Sequence, residues 1–371
     1  MLSKSNLFYA ALTFCLSGLL TLIALEIGLR FLPVSDTFLS EPVTKEQPVA
    51  RFKPDRDITW SRHFNFALAN KRHINNDGFF NDQDYDESDQ SPLMAVIGDS
   101  FVEAVMVPYQ DTLYGRLEKK LTPDKRAYSF GASGAPLSQY LVWAKHAQEA
   151  YHAKKMAFVI ISNDFDESLP KYKFHQTFHQ FVADSNGTLK PQLIKEYHPN
   201  WSRFIIHHSA LARYLLMNLQ LYNSWNKLRA SLVRKSLDEK TLYVGNVPAK
   251  VEDERLFDSY KAVDAFFDNL PDYTGLKPRD IVFLVDAPRT KIYAAETMPV
   301  NGTSYFEKMR DYFLKTARKR GYETVDLMPV FWNSYQENHQ KFESPQDGHW
   351  SGYGHGVVYD ALLKTNWFKK F

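Results

Sequence analysis

The chain has 371 residues, of which 44% are hydrophobic and 24% charged, a composition typical of a folded globular protein. Its formal net charge of +2 and the lack of a long basic run give no reason to expect a nucleic-acid partner. The only cysteine, Cys15, excludes an intramolecular disulfide and a cysteine-based zinc site.

The N-terminal part of the chain holds a long apolar run. Residues 7–25 carry no charged side chain, and at about 1.5 Å of helical rise per residue they can cross roughly 30 Å of hydrocarbon. The alternative is a cleaved signal peptide, because such peptides have a positively charged residue before the apolar core, and here Lys4 precedes the run. However, the run exceeds the usual core of about 7–15 residues, and no small-x-small cleavage site follows it. We therefore predict an uncleaved, single-pass membrane anchor over residues 1–32.

The charges around this run bear on its orientation. Lys4 and the terminal amine lie on one side of the run and Arg30 on the other, so the positive charges are nearly balanced. Because the N-terminal tail is only a few residues long, we expect it to remain cytoplasmic. The body of the protein is then on the periplasmic or extracytoplasmic side.

Residues 33–92 are predicted to form a juxtamembrane tether with short strands. The segment contains several prolines and an acidic loop from Asp82 to Asp89, and such loops are most often solvated. Within it, Asp77-Gly78 interrupts a strand-like stretch at residues 72–80, which predicts a turn at that dipeptide.

From residue 93 onward, apolar strands alternate with helix-compatible segments, which predicts an α/β fold with a doubly wound parallel sheet. The predicted strands are residues 93–97, 127–130, 157–161, 281–285 and 323–327, and the predicted helices are 110–121, 137–151, 304–320 and a closing helix after Trp350. Residues 167–279 interrupt this rhythm. We expect them to form an insertion, a lid or side lobe, with amphipathic helices at 211–232 and 255–270.

Three predicted strands end in residues that could carry chemistry. Ser100 follows the first strand, and the carboxyl edge of an open α/β sheet is where ligands bind. A serine there can be a nucleophile if a base and oxyanion donors are supplied. Gly134 follows the second strand and could present an uncrowded backbone N–H, although glycine is also a common turn former. Asn163 follows the third strand, and its amide could be a further oxyanion donor or a turn former.

The C-terminal segment supplies a histidine with a nearby carboxylate. Asp347 lies two residues before His349 and could hold the imidazole in the tautomer that accepts a proton from a serine. Alternatively, Asp347 or Ser351 caps the closing helix, and the two roles are compatible.

The chain resembles the SGNH (GDSL) hydrolases, whose four sequence blocks occur here in the family's order. The matching residues are Gly98-Asp99-Ser100, Gly134, Asn163 and Asp347-x-His349. The resemblance covers about residues 93–164 and 281–363. The anchor, together with the segments 281–289 and 348–350, is similar to membrane-anchored bacterial members. Two details differ from the family: one residue rather than two separates Asp347 from His349, and Ser162 replaces the glycine that usually precedes Asn163.

This resemblance implies a flavodoxin-like three-layer α/β/α catalytic domain over residues 93–371. It implies Ser100 as the nucleophile, His349 as the base and Asp347 as the group that orients it. The Ser100 N–H, the Gly134 N–H and the Asn163 amide would form the oxyanion hole. No cofactor and no metal ion are implied.

We expect a serine esterase that acts on acyl esters, such as O-acetyl groups of an envelope glycan, through an acyl-serine intermediate. The anchor and the 15% aromatic content favour an exported carbohydrate substrate. The alternatives are an O-acyltransferase that moves acetyl groups to or from an exported polysaccharide, and a non-catalytic scaffold with an SGNH-like fold. A metal hydrolase using His207-His208 or His175 with His179 is disfavoured, because no Glu follows His175 as the zinc-protease pattern requires.

Overall fold

The computed structural model describes residues 4–221, 253–299 and 302–371. These residues fall into two compact units. The first unit contains residues 4–39, 58–71 and 199–221, and the second contains residues 40–57, 72–198, 253–299 and 302–371.

Helices and strands alternate along most of the described chain. The helices are α1 (Lys4–Leu29), α2 (Ser100–Glu103), α3 (Leu113–Leu121), α4 (Leu137–Tyr151), α5 (Trp201–His208), α6 (Ala210–Arg213), α7 (Asp253–Thr274), α8 (Arg289–Ala294), α9 (Tyr305–Lys319), α10 (Leu327–Asn338), α11 (Gly352–Leu363) and α12 (Asn366–Lys369). The strands are β1 (Arg56–Arg62), β2 (Leu68–Ile74), β3 (Leu93–Gly98), β4 (Arg126–Gly131), β5 (Lys155–Ile160), β6 (Gln180–Ala183), β7 (Leu189–Gln192), β8 (Ile281–Val285), β9 (Glu323–Asp326), β10 (Glu343–Ser344) and β11 (Asp347–Trp350).

A five-stranded parallel sheet organises the second unit, with strand order β4-β3-β5-β8-β9. Every residue of β3, β4, β5 and β8 is buried. Since successive side chains of a strand point to opposite faces, both faces of the sheet are covered. Helices α4, α7 and α9 pack together, as do α3, α10 and α11. The predicted α/β/α fold class is confirmed.

The aromatic residues of α7 show how one helix layer is attached to the sheet. Phe266 and Phe267 of this helix lie with ring centroids 6.0 and 5.4 Å from Phe283 of β8. Phe313 of α9 joins the same cluster, 5.2 Å from Phe283. The last part of the predicted insertion therefore packs on the sheet, and a lid role for residues 167–279 stays a prediction.

Two further predictions are the helix at 211–232, which the described residues cover only in part, and the turn at Asp77-Gly78. The helix expected at 211–232 includes α6 and a following π-helical turn, Tyr214–Asn218, and its remainder beyond residue 221 lies outside the described residues. The turn expected at Asp77-Gly78 is present, with Gly78 at a φ of 83° and its N–H donating to the Asn75 carbonyl at 3.0 Å.

The first unit begins with the long apolar helix α1. Its segment Ser5–Leu29 has a mean hydropathy of 2.0 and none of the tested window is buried. By length and composition this helix can cross a membrane, and a signal sequence near the N-terminus would have the same properties.

Candidate active site

Ser100 lies at the carboxyl end of β3, where the chain turns from the sheet into the short helix α2. Asp99 caps this helix, because its carboxylate accepts a hydrogen bond from the Phe101 N–H at 3.0 Å. Since β4 and β5 flank β3, the loops after all three strands meet at one edge of the sheet. The Ser100 side chain is therefore held at the position where open α/β sheets bind ligands.

Ser100, His349 and Asp347 contact one another although they are far apart in the sequence. The Ser100 hydroxyl lies 2.8 Å from His349 Nε2. On the other side of the ring, Nδ1 lies 2.5 Å from Asp347 Oδ1. The hydroxyl can therefore donate to one ring nitrogen while the carboxylate holds the proton on the other.

The short spacing between Asp347 and His349 suits the strand in which they occur. Both belong to β11, which pairs antiparallel with β10. Residues two apart in a strand point to the same face, so a single intervening residue, Gly348, brings the two side chains together. The one-residue spacing therefore permits the contact between Asp347 and His349.

Two side chains that follow β8 hold this hairpin beside Ser100. Asp286 accepts a hydrogen bond from the Trp350 indole N–H at 3.1 Å, and the Arg289 guanidinium donates to the Gly348 carbonyl at 2.9 Å. The same guanidinium lies over the Phe101 ring, 5.4 Å from its centroid. Asp286 and Arg289 were not predicted as site residues, because their contacts join segments about sixty residues apart.

The two predicted oxyanion donors follow the strands on either side of β3. Gly134 has a φ of 77°, a left-handed conformation that glycine adopts without a steric cost. Asn163 is buried in the loop after β5. That loop is fixed by Asp164, which accepts hydrogen bonds from the Tyr140 hydroxyl and the Ile161 N–H, both at 2.8 Å.

Glu103 links the helical turn of Ser100 to the loop of Gly134. One of its carboxyl oxygens accepts a hydrogen bond from the Ser133 N–H at 2.6 Å and another from the Ser133 hydroxyl. The other oxygen is buried and has no hydrogen-bond partner among the described residues. Burial raises the pKa of Glu103 to about 7. Only the fold reveals this link, since Glu103 lies within an otherwise ordinary apolar sequence.

The raised pKa of Glu103 makes the stability of the protein depend on pH. Folding favours the protonated carboxyl, so this contribution to stability is present below pH 4.5 and is lost as the pH rises through about 7. From pH 4 to pH 8, the unfolding free energy of wild type should fall by up to about 3 kcal/mol because of Glu103. Glu103→Gln does not ionise at this position and should not show this fall, so it gains the same amount relative to wild type. Denaturation at both pH values checks this. Glu87→Gln, an exposed control, should show no such gain.

Asp99 also contacts the hydroxyl of Ser100. Its Oδ2 atom lies 3.0 Å from the Ser100 oxygen, and burial raises the pKa of Asp99 to about 6. A serine hydroxyl has one hydrogen, so an ionised Asp99 and His349 compete for it. Asp99 therefore influences how readily the hydroxyl donates to the imidazole.

A lysine lies beside the Gly134 loop. A Cβ at Gly134 would be 3.8 Å from the Lys173 ammonium, which pairs with the buried Glu167 carboxylate at 2.6 Å. This cation is close to one of the predicted oxyanion donors, and sequence position alone did not indicate it.

The described residues, 4–221, 253–299 and 302–371, contain no group of three or more His, Cys, Asp or Glu side chains arranged to hold a metal ion. Among the histidines of the metal-hydrolase alternative, the His179 ring lies 3.2 Å from the Gln139 side-chain oxygen. Burial lowers the pKa of His179 to about 4.

Comparison with known proteins gives similar structures at low sequence identity. No protein-family model matches the sequence, and no curated protein matches it. An acetyl xylan esterase structure aligns over 73% of this chain and 98% of its own, with 10% identity and a TM-score of 0.40. A lipase/acylhydrolase from Enterococcus faecalis aligns over 74% and 94%, with 8% identity and a TM-score of 0.36. A psychrotrophic esterase from Pseudoalteromonas sp. aligns over 76% and 98%, with 8% identity and a TM-score of 0.36.

The second unit itself shows the parallel sheet with helices packed on it, and the contact of Ser100 with His349 at the carboxyl edge of that sheet. The second unit thus has a three-layer α/β/α arrangement around a parallel sheet.

Proposed function

We propose that the protein is a serine esterase that cleaves acyl esters through an acyl-enzyme on Ser100. The observation that carries this proposal is the continuous contact from the Ser100 hydroxyl to His349 Nε2 at 2.8 Å and from His349 Nδ1 to Asp347 at 2.5 Å. A serine with a histidine base and a carboxylate that orients it is the arrangement that activates a hydroxyl for attack on a carbonyl.

In the acylation step, the Ser100 oxygen attacks the ester carbonyl carbon while His349 Nε2 takes the hydroxyl proton. Asp347 stabilises the imidazolium that forms. The Ser100 N–H, the Gly134 N–H and the Asn163 amide are proposed to bind the oxyanion, which develops at the sheet edge. When the tetrahedral intermediate collapses, the C–O bond to the leaving alkoxide breaks, and His349 returns its proton to that oxygen.

In the second step, His349 deprotonates an acceptor that attacks the acyl-serine. When the second tetrahedral intermediate collapses, the bond between the acyl carbon and the Ser100 oxygen breaks, and His349 returns the proton to that oxygen, which regenerates Ser100. Water as the acceptor gives hydrolysis, and a sugar hydroxyl gives transfer of the acyl group. The same residues serve both outcomes, so the protein is proposed as an esterase with O-acyl transfer as the alternative. A non-catalytic scaffold would not need the Ser100–His349 contact.

The proposed substrates are O-acetyl esters of an envelope glycan. This choice is supported by α1, which can anchor the protein in a membrane and so keep it near envelope polymers. We propose that α1 is an uncleaved anchor and that the second unit lies on the periplasmic or extracytoplasmic side.

Purified full-length protein should release acetate from p-nitrophenyl acetate and from an O-acetylated polysaccharide. Products would be separated by mass to distinguish free acetate from acetyl groups moved to an added unacetylated glycan. Free acetate as the main product supports the esterase, and acetylated acceptor supports the transferase. Absence of both products with every donor would contradict a catalytic role.

Removing the Asn163 side chain tests the oxyanion hole. We expect Asn163→Ala to lower kcat by roughly 10²–10³-fold with little change in KM, because the amide acts on charge that develops in the transition state. Ester hydrolysis and thermal unfolding are measured together, with the exposed Asn186→Ala as the matched control. A kcat within about twofold of wild type would remove Asn163 from the proposed oxyanion hole.

A further inference from the structure

Exposed large hydrophobic side chains are concentrated in the first unit. Among the described residues after α1, twelve such side chains are exposed, and eight of them belong to this much shorter unit. The eight are Phe31, Leu32, Phe64, Trp201, Phe204, Ile205, Leu216 and Leu221. Isolated exposed hydrophobic residues are ordinary on soluble proteins, whereas a concentration of them marks a surface that contacts something apolar.

Helix α5 presents three of these side chains on one face. Trp201, Phe204 and Ile205 are spaced i, i+3 and i+4, so they lie next to one another on the helix surface. Their side chains are 76%, 63% and 54% exposed. Here we call these three residues the apolar face of α5.

Glu26 in the last turn of α1 and Arg30 just after it contact the C-terminal end of α5 and the start of α6. The Arg30 guanidinium donates to the His208 carbonyl at 3.0 Å. The Glu26 carboxylate accepts hydrogen bonds from the Ala210 N–H at 3.0 Å and the Leu211 N–H at 2.8 Å, the first free N–H groups of α6. These contacts lie within the first unit and fix α5 beside the end of the apolar span.

Two residues of the apolar face of α5 lie beside apolar residues of α1. Phe204 and Ile205 line the same surface groove as Leu22 and Ile23. Those two residues precede Glu26 by about one helical turn, which is roughly 5 Å closer to the middle of the span. Phe204 and Ile205 therefore lie beside the C-terminal part of the apolar span, in a groove that Glu26, Arg30 and His208 also line.

We propose that α5 is a membrane-interface helix whose apolar face inserts into the leaflet crossed by the C-terminal end of α1. The partner is the lipid bilayer itself. Tryptophan is favoured at the boundary between headgroups and hydrocarbon, and Phe and Ile gain by leaving water. The proposal rests on the membrane-spanning role of α1 proposed above. The apolar face of α5 would be a second membrane contact besides α1. The first unit is then held at the bilayer at two places, which restricts its rotation about the axis of α1.

Spin labels on the full-length protein in phosphatidylcholine and phosphatidylglycerol vesicles test this inference. One label is placed on the native Cys15, which reports on α1 alone. In a Cys15→Ser background, a second sample carries the label at Ile205→Cys and a third at Glu87→Cys in the exposed acidic loop. The measurement is the collision rate of each label with oxygen, which concentrates in lipid, relative to a water-soluble nickel complex.

We expect the Cys15 and Ile205 labels to favour oxygen and the Glu87 label to favour nickel. If the Ile205 label behaves like the Glu87 label while Cys15 is in lipid, the inference about α5 is wrong and the anchor stands. If Cys15 is itself exposed to nickel, the anchor is wrong and the inference falls with it. Phe204→Cys repeats the α5 measurement one residue away, so that a local disturbance at Ile205 cannot decide the result.

Discussion

Replacing Ser100 by alanine is expected to abolish acyl-enzyme turnover, with kcat falling by at least about 10³-fold. The physical reason is that no other hydroxyl is held at 2.8 Å from His349 Nε2 by the described residues. Removing this oxygen leaves the base without a nucleophile to activate, while substrate binding changes little. Steady-state hydrolysis of p-nitrophenyl acetate by wild-type and variant protein gives the result directly.

The folding of Ser100→Ala must be checked alongside its activity. The hydroxyl contacts Asp99 and His349, and its loss leaves the sheet unchanged, so the thermal unfolding midpoint should stay close to that of wild type. Ser88→Ala, in an exposed loop, is the matched control and should retain full activity. Substantial hydrolysis by a folded Ser100→Ala variant would show that another group attacks the ester.

Replacing Asp347 by asparagine is expected to lower kcat by roughly 10³–10⁴-fold. The substitution keeps the size of the side chain and removes its charge. Asparagine can then present its amide to His349 Nδ1, which favours the tautomer that carries its proton on Nε2. In that tautomer the ring cannot accept the Ser100 proton, and the imidazolium loses its stabilising carboxylate.

The distinguishing readout for Asp347→Asn is the separation of kcat from KM. Loss of an orienting group should lower kcat and kcat/KM together with little effect on KM. The exposed Asp360→Asn on α11 makes the same chemical change away from the site and should behave as wild type. A variant with unchanged kcat would mean that another group orients His349; the closing helix is capped by Ser351, so capping by Asp347 would not explain that result.

Local sequence patterns predicted the central part of the fold well. The strands β3, β4, β5 and β8 are apolar runs because both faces of the sheet are covered, and such runs are visible without coordinates. Element ends were less well defined. The helix predicted from residue 110 begins at Leu113, because Thr112 caps it by accepting from the Gly115 N–H.

Some site residues can be recognised from a short local motif, and others only from a contact with a distant part of the chain. Ser100 and the pair Asp347 and His349 could be identified from short motifs at predicted strand ends. Glu103 and Arg289 could not, because each matters through one contact with a distant segment that no spacing rule encodes. Sequence reasoning therefore names the groups that react more readily than the groups that hold them in place.

The most direct test of the proposed chemistry is to label the nucleophile of active, full-length protein with an alkyl fluorophosphonate. In this reaction the activated serine oxygen bonds to phosphorus and fluoride leaves. Peptide mass spectrometry should find the phosphonate on Ser100, and Asp347→Asn should be labelled far more slowly because its imidazole no longer accepts the serine proton. An enzyme that hydrolyses esters but carries no label at Ser100, or carries it at another residue, would contradict the proposal.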